Sequence, residues 1–461
     1  MKRLVFGFVA ACAAVAFGNV WDPVQIKGTT DRENPVSYKA GEPIVFTLTA
    51  SGLDESADLS GYVFKWKRTG DDGKVEYGEA PIKNGEFAKV TTKMDIPGFV
   101  RVEGYLKDKA DKAVRRDKPA PGSPNWAPVK DVFFDGGAGV DVANVVQENP
   151  EPADFDAWWA KQKKILAAVP MTVNRKEVKT LNGCKIYQVS VGCAGPRPVT
   201  GYLFIPANAT EKSCKARVGF QGYGFYQQGC PEWATWSCAG NKEIFLEINA
   251  HGYDLGMDKA YYDAFGDSIK SSKYSYAFSP DENARPETAY FRFMAFRVMR
   301  ALEYVKSLPE WNGKDLIAEG GSQGGLQTSW AAGLDPDVTL ARPSITWGCD
   351  FAMVSGARKR LKGNWYIPYA KGLDYFDSIN HIRRAKCPIE ITRAGLGDYT
   401  CPPSGLAAYY NAISAPKSIL WVQGSRHGYI PPKPNQEFTV SENHVQTGAE
   451  SKSQNASADV K

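Results

Sequence analysis

Residues 316–334, LIAEGGSQGGLQTSWAAGL, constrain this chain more than any other stretch. They join an apolar run, the pentapeptide Gly320-Gly321-Ser322-Gln323-Gly324 and a segment able to form a helix without a break. G-x-S-x-G between a buried strand and a helix puts the serine on a turn so sharp that the surrounding backbone leaves no room for a Cβ, hence the glycines. An ordinary Gly-rich loop closing a βα unit would use the same residues, so the pentapeptide alone does not decide. Its setting does: Leu316 to Ala318 reads as a strand and Gly325 to Ala332 as a helix, and an acid and then a histidine follow at later strand exits.

At 461 residues the chain exceeds one ordinary core, and at least two domains are expected. From about Pro35 to Phe134, the segments EPIVFTLTA, GYVFKWKR, EFAKVTTKM and GFVRVEGYL alternate in polarity and are broken by turn residues, which predicts an all-β sandwich of immunoglobulin type over 19–134. It contains no Cys or His, so its expected role is structural or adhesive, with Trp66 read as core rather than as a glycan-binding face. The Gly- and Pro-rich stretch that follows is expected to be a linker over 135–150. Beyond it come a helix, FDAWWAKQKKILAAV, two antiparallel strands, KIYQVSVG and VTGYLFIP, and five buried strands, ARVGF, EIFLEIN, DLIAEG, IEITRAG and SILWVQG, separated by helical or loop segments. That alternation predicts a mostly parallel, doubly wound α/β sheet over 151–432. From 433 to 461 the chain is polar and is expected to be disordered.

The start, MKRLVFGFVAACAAVAFG, has the basic, apolar and small-residue order of a secretory signal cleaved after Gly18, so the protein is expected to be secreted or periplasmic. Anchoring through a lipid on Cys12 is the minor alternative. No apolar run reaches the roughly 20 residues of a membrane helix, and a net charge of +5 from 56 basic and 51 acidic residues leaves no nucleic-acid footprint. Export permits disulfides. Cys230 with Cys238, and Cys184 with Cys193, are the candidate local pairs, whereas Cys387 and Cys401 suit small buried thiols. No Cys/His cluster has metal-ligand spacing, so no metal or cofactor is expected.

Of the four histidines, His444 lies in the polar tail, and His427 follows the strand SILWVQG in the loop GSRHGYIPP, downstream of Ser322 and of an acid. That acid is read as Asp398, in RAGLGDYTCPPS after the strand IEITRAG, with Asp350, Asp374 and Asp377 as weaker competitors. His427 would take the proton of Ser322 and pass it to the leaving alcohol, while Asp398 would orient the imidazole. The oxyanion donors are read as the backbone N–H groups of Gln323 and of Tyr223, the latter in the Gly-rich loop QGYG after ARVGF. His251 and Trp347 are candidate substrate contacts, each with a purely structural reading beside it.

These residues carry a resemblance. PADFDAWW, QGYG, YFRFMAFRVMRALEYV, GGSQGG, YFDSINHIRRAKCP and GLGDYTCPPSGLAAYYNAI occur in the order found in the acetyl xylan esterase and cephalosporin-C deacetylase family, carbohydrate esterase family 7, and the match spans about Glu151 to Pro432. The resemblance implies an α/β-hydrolase fold, Ser322, Asp398 and His427 as catalytic residues, Tyr223 and Gln323 as oxyanion donors, and removal of O-acetyl groups from xylan-derived or related oligosaccharides. Two positions depart from the family pattern. Ala250-His251-Gly252 stands where better-known members have Arg-Gly-Gln, and Gly428 stands where an acidic residue usually follows the histidine. The amino-terminal β segment is also outside the usual single-domain form. Alternatives left open are an esterase of the same fold acting on a feruloyl or peptide-type ester, and an inactive glycan-binding protein. Oligomeric state is not set by the sequence.

Overall fold

The computed structural model describes residues 19–225 and 229–442. The leader with Cys12, and the tail from 443 with His444, lie outside the described residues. Strands β1 (Gln25–Thr30), β2 (Pro43–Ser51), β3 (Val63–Gly70), β4 (Glu76–Pro81), β5 (Gly85–Lys93), β6 (Gly98–Lys107) and β7 (Phe133–Val140) form two antiparallel sheets, ordered β1-β2-β5 and β4-β3-β6-β7. β2 buries Ile44, Phe46, Leu48 and Ala50 and turns the residues between them outward, the period of two that a sheet with one covered face requires. These side chains meet Phe64, Val100, Val102 and Leu106 from the other sheet in one core, and Trp66 packs against it.

The linker expected at 135–150 begins instead as strand. β7 is buried along its whole length and pairs with β6 from Gly98↔Val140 to Tyr105↔Phe133. Its glycines serve close approach: a Cβ on Gly137 would meet the carbonyl oxygens of Val100 and Leu396 at 2.6 and 2.9 Å. Gln423 closes over this strand, donating from Nε2 to Gly137 O and accepting the Gly137 N–H, both at 2.8 Å. A composition that marks a loop in isolation here marks a strand on which another backbone sits.

Strands β8 (Val173–Leu181), β9 (Cys184–Val191), β10 (Val199–Pro206), β11 (Cys214–Phe220), β12 (Glu243–Ile248), β13 (Trp311–Gly321), β14 (Leu340–Ser344), β15 (Ile389–Gly395), β16 (Lys417–Val422) and β17 (Glu437–Glu442) make one sheet. Its order is β17-β16-β15-β14-β13-β11-β12-β10-β9-β8, parallel from β12 to β16 and antiparallel at both ends. The chain steps from β11 to β12 on one side, then crosses to β13 and on to β14 on the other. The connections after β11 and after β13 therefore leave in opposite directions, and a crevice opens at the carboxyl ends of these two strands.

Four features depart from the expectations. β17 lies inside the tail expected to be disordered, pairing with β16 from Val422↔Glu437 to Lys417↔Glu442, and Val440 packs on the main core. β14 carries Pro343 within a central position of the sheet, a residue that argues against such a strand, and β8 is polar and exposed along most of its length. The disulfide joins Cys184 to Cys238, tying the start of β9 to the helix Ala234–Asn241, so neither local pair forms. Cys193 and Cys230 are free thiols.

The two sheet systems share buried contacts. Val36, between β1 and β2, and Phe99 on β6 belong to the main core, and the Phe99 ring lies 5.3 Å from that of Trp421 on β16. Asp71, beyond β3, is buried and accepts the Phe99 and Leu361 N–H groups at 2.9 Å and the Ser404 hydroxyl. Among the described residues no helix is long and apolar enough to cross a membrane.

Candidate active site

Ser322 follows β13 directly and precedes the helix Gln323–Leu334, with φ 57° and ψ −119°. This left-handed backbone is costly for a residue with a Cβ and is held from both sides. The Ser322 N–H donates to Ser344 O at 2.9 Å, and its carbonyl accepts the N–H of Trp347 at 3.0 Å. The flanking glycines leave the room: a Cβ on Gly320 would meet Phe220 O at 2.7 Å, and one on Gly324 would meet it at 2.1 Å. The turn leaves Ser322 half-buried at the helix amino terminus, where the free Gln323 N–H and the helix dipole favour negative charge.

Asp398 leaves the exit of β15 and His427 that of β16, two strands that pair in parallel. The buried Asp398 accepts the N–H groups of Thr400 and Cys401 at Oδ1, at 3.0 and 3.1 Å, and its Oδ2 lies 2.9 Å from His427 Nδ1. This fixes the imidazole with Nδ1–H toward the acid and Nε2 facing away from it. The Cys401 thiol lies with this pair, its Sγ within 4.8 Å of the Asp398 and His427 side-chain atoms. Complete burial pushes that thiol well above the ordinary range, so it stays protonated.

The loop after β11 is pinned from below. Tyr276 accepts the Gly224 N–H at 2.8 Å and donates its hydroxyl to Gln323 Oε1 at 2.9 Å, while its ring stacks on Tyr223 at 4.2 Å and 10°. Gln323 Nε2 donates to Gly222 O and Gln327 Nε2 to Gln221 O, at 3.3 and 3.0 Å. The Tyr223 N–H donates to no acceptor among the described residues. Burial keeps Tyr276 protonated by raising its pKa well above the usual range. Tyr276 and Cys401 were not marked as site residues in the sequence, because their parts depend on neighbours far away along the chain.

His251 does not line the crevice. It is fully buried, with Nε2 donating to Gly224 O at 3.0 Å and Nδ1 accepting from Tyr290 Oη at 2.9 Å, which makes it a prop beneath the loop rather than a substrate contact. Burial lowers its pKa to about 3 and keeps it neutral. Trp347 is 5% exposed and packs edge-on against Tyr223 at 5.6 Å, with Nε1 donating to Trp365 O, so it is chiefly core. One edge lines an open pocket shared with Trp365, Tyr399 and Thr400. The competing acids are engaged elsewhere. Asp377 caps the helix Ser378–Ile382, Asp350 pairs with Arg360, and Asp374 accepts from Tyr369.

Comparison with known proteins decides the family. Residues 141–361 and 368–443 match the family described as acetyl xylan esterase (AXE1), well over half of the chain. The chain belongs to the acetyl xylan esterase family. It is 29% identical over 287 residues to the acetyl esterase Axe7A of Xylanibacter ruminicola, a match spanning 60% of this chain and 63% of that relative's length. Among solved structures it resembles an acetyl xylan esterase from Paenibacillus sp. R4, with 26% identity, a TM-score of 0.53, and coverage of 62% of this chain and 93% of that one. It also shares the fold of acetyl xylan esterase 1 from Thermoanaerobacterium sp. JW/SL YS485, at 19% identity and TM-score 0.51 over 64% of this chain and 93% of that one. The large sheet is thus the α/β-hydrolase part, and the family match begins just after β7.

One group of metal-ligating atoms converges among the described residues: those of Asp398, Cys401 and His427, all within 4.8 Å of one another. Both Asp398 oxygens already have partners, Oδ1 accepting the Thr400 and Cys401 N–H groups and Oδ2 facing His427 Nδ1.

Proposed function

We propose that this chain is a serine carboxylesterase that removes O-acetyl groups from xylan-derived or related oligosaccharides. The observation that carries the reading is the strained Ser322 turn at the exit of β13 together with the Asp398–His427 pair at the exits of β15 and β16 in the same sheet. Ser322 Oγ attacks the ester carbonyl while His427 Nε2 takes its proton. The N–H groups of Gln323 and Tyr223 receive the negative oxygen, and collapse expels the sugar alkoxide, which His427 protonates. Water, activated by the same imidazole, then attacks the acetyl-serine ester and releases acetate. Asp398 holds Nδ1–H throughout and offsets the imidazolium charge.

The chain is further read as exported, on the strength of its basic-apolar-small leader and of a disulfide that calls for an oxidising compartment. Strands β1–β7 are read as an immunoglobulin-like sandwich that precedes the esterase body.

Acetate release from acetylated xylo-oligosaccharide is the test. Ser322→Ala and His427→Ala are each expected to lower kcat by roughly 10⁴-fold or more, with the double variant little worse, because residues acting as one unit are not additive. Near-normal turnover by Ser322→Ala would remove the serine mechanism. Turnover of small aryl esters with none of the acetylated oligosaccharide would remove the substrate.

A further inference from the structure

The β6–β7 connection reaches the candidate site. Its backbone is joined to the His427 loop, where the Ile430 N–H donates to Gly122 O at 3.2 Å. Four residues on, Trp126 lies with its ring centre 6.3 Å from the His427 imidazole at 72°, and the side chain remains 70% exposed. In this place the indole offers an open apolar face next to the candidate base. It is also seated. Gly428, with φ 79°, sits beneath it, and a Cβ there would meet the Trp126 ring at 2.5 Å and Pro124 at 3.0 Å. The missing acidic side chain after His427, one of the two departures from the family pattern, leaves the place that Trp126 and Pro124 occupy. A second tryptophan, Trp365, 41% exposed, stands edge-on to Tyr223 at 4.8 Å.

The chemistry gives these positions a meaning. In the esterase reading His427 delivers its proton to the departing alcohol oxygen, so the sugar that carried the ester must stand within hydrogen-bond reach of the imidazole, whose ring centre lies 6.3 Å from that of Trp126. We propose that Trp126, supplied by the amino-terminal sheets, is the stacking platform for a pyranose ring of the alcohol portion of the substrate. This rests on the esterase reading above for its orientation, and it assigns the amino-terminal sheets a binding role. Apolar C–H faces of a pyranose pack on indole, and the exposed equatorial hydroxyls remain solvated.

Binding and turnover separate the two claims. The full chain, and its Trp126→Ala and Trp126→Phe variants, would be titrated with unacetylated xylo-oligosaccharide by calorimetry, and the ratio of kcat/KM on acetylated xylo-oligosaccharide to kcat/KM on 4-nitrophenyl acetate measured for each. Trp126→Ala is expected to weaken binding about 10-fold and to lower the ratio by a similar factor, carried by KM, with Trp126→Phe recovering most of both. Equal affinity in parent and Trp126→Ala, or no binding by the parent, overturns the platform, as does an unchanged ratio. Trp126-dependent binding without any release of acetate would leave the platform standing and bring down the deacetylation reading instead.

Discussion

The hydroxyl of Tyr276 holds two parts of the candidate oxyanion site at once, accepting from Gly224 N–H and donating to the Gln323 side chain. Removing it in Tyr276→Phe leaves the stacked ring in place but frees the loop that positions the Tyr223 N–H. Losing a whole oxyanion donor costs about 10²- to 10³-fold in kcat, and a donor that is merely loosened should cost less, about 10-fold, with KM little changed. A larger change in KM than in kcat would show that Tyr276 serves substrate binding instead. His251 supports the same loop and makes a separate prediction. Its pKa is lowered to about 3 in the fold, as is that of the buried His381, in both cases mainly by burial. Both therefore contribute stability that is complete above the ordinary histidine value, about 6.5, and lost as pH falls toward about 3. Urea midpoints measured at about pH 7.5 and about pH 5 should fall for the parent and fall less for His251→Asn, which cannot gain the proton. Equal losses in both proteins would show that His251 is not part of the acid response.

At the scale of elements, the disulfide and the edge strands stand out. Cys184 and Cys238 are 54 residues apart, and the bond closes a loop spanning β9 through the helix Ala234–Asn241. In the chain-entropy account, opening a loop of that size costs about 4 kcal/mol. A Cys184→Ser, Cys238→Ser double variant should unfold at correspondingly lower urea, and reducing agent should shift the parent but not the variant. If the variant matches the oxidised parent, the bridge contributes nothing. β17 closes the sheet at its other end, and its register brings Glu442 to Lys417, a pair with Nζ and Oε2 at 3.2 Å.

Across the whole molecule, the amino-terminal sheets do not hang from the esterase body. Phe99 lies against Trp421, Gln423 spans β7, and Asp71 is buried among N–H groups and a hydroxyl drawn from both regions. A chain starting at residue 141, where the family match begins, would expose these apolar faces and leave Gln423 without its partners. It should be insoluble or lose cooperative unfolding, which expression with circular dichroism and thermal melts would check. A truncated protein that melts cooperatively at the parent's temperature would show that the contacts are incidental.

Much of this was legible along the chain, because the patterns involved are local. Period-two alternation marked β2, β3, β5 and β6, buried runs marked β11, β12, β13, β15 and β16, and the order of Ser322, Asp398 and His427 followed the strand exits. Family membership was legible from the same segments. What stayed hidden depends on partners distant in sequence. The glycines of β7 read as linker until Gln423 and the Leu396 carbonyl are seen closing on them, and Pro343 argues against a strand that its neighbours on both sides nevertheless complete. Local spacing could not choose Cys238 as the partner of Cys184, because the helix that carries it packs across β10, β12 and β9, strands that only the sheet brings side by side. The same holds for Trp126, which a stretch of sequence shows only as an aromatic in a Pro-rich loop. The fold sets it beside His427, 301 residues on, because packing β7 against the esterase body fixes where the preceding loop must lie.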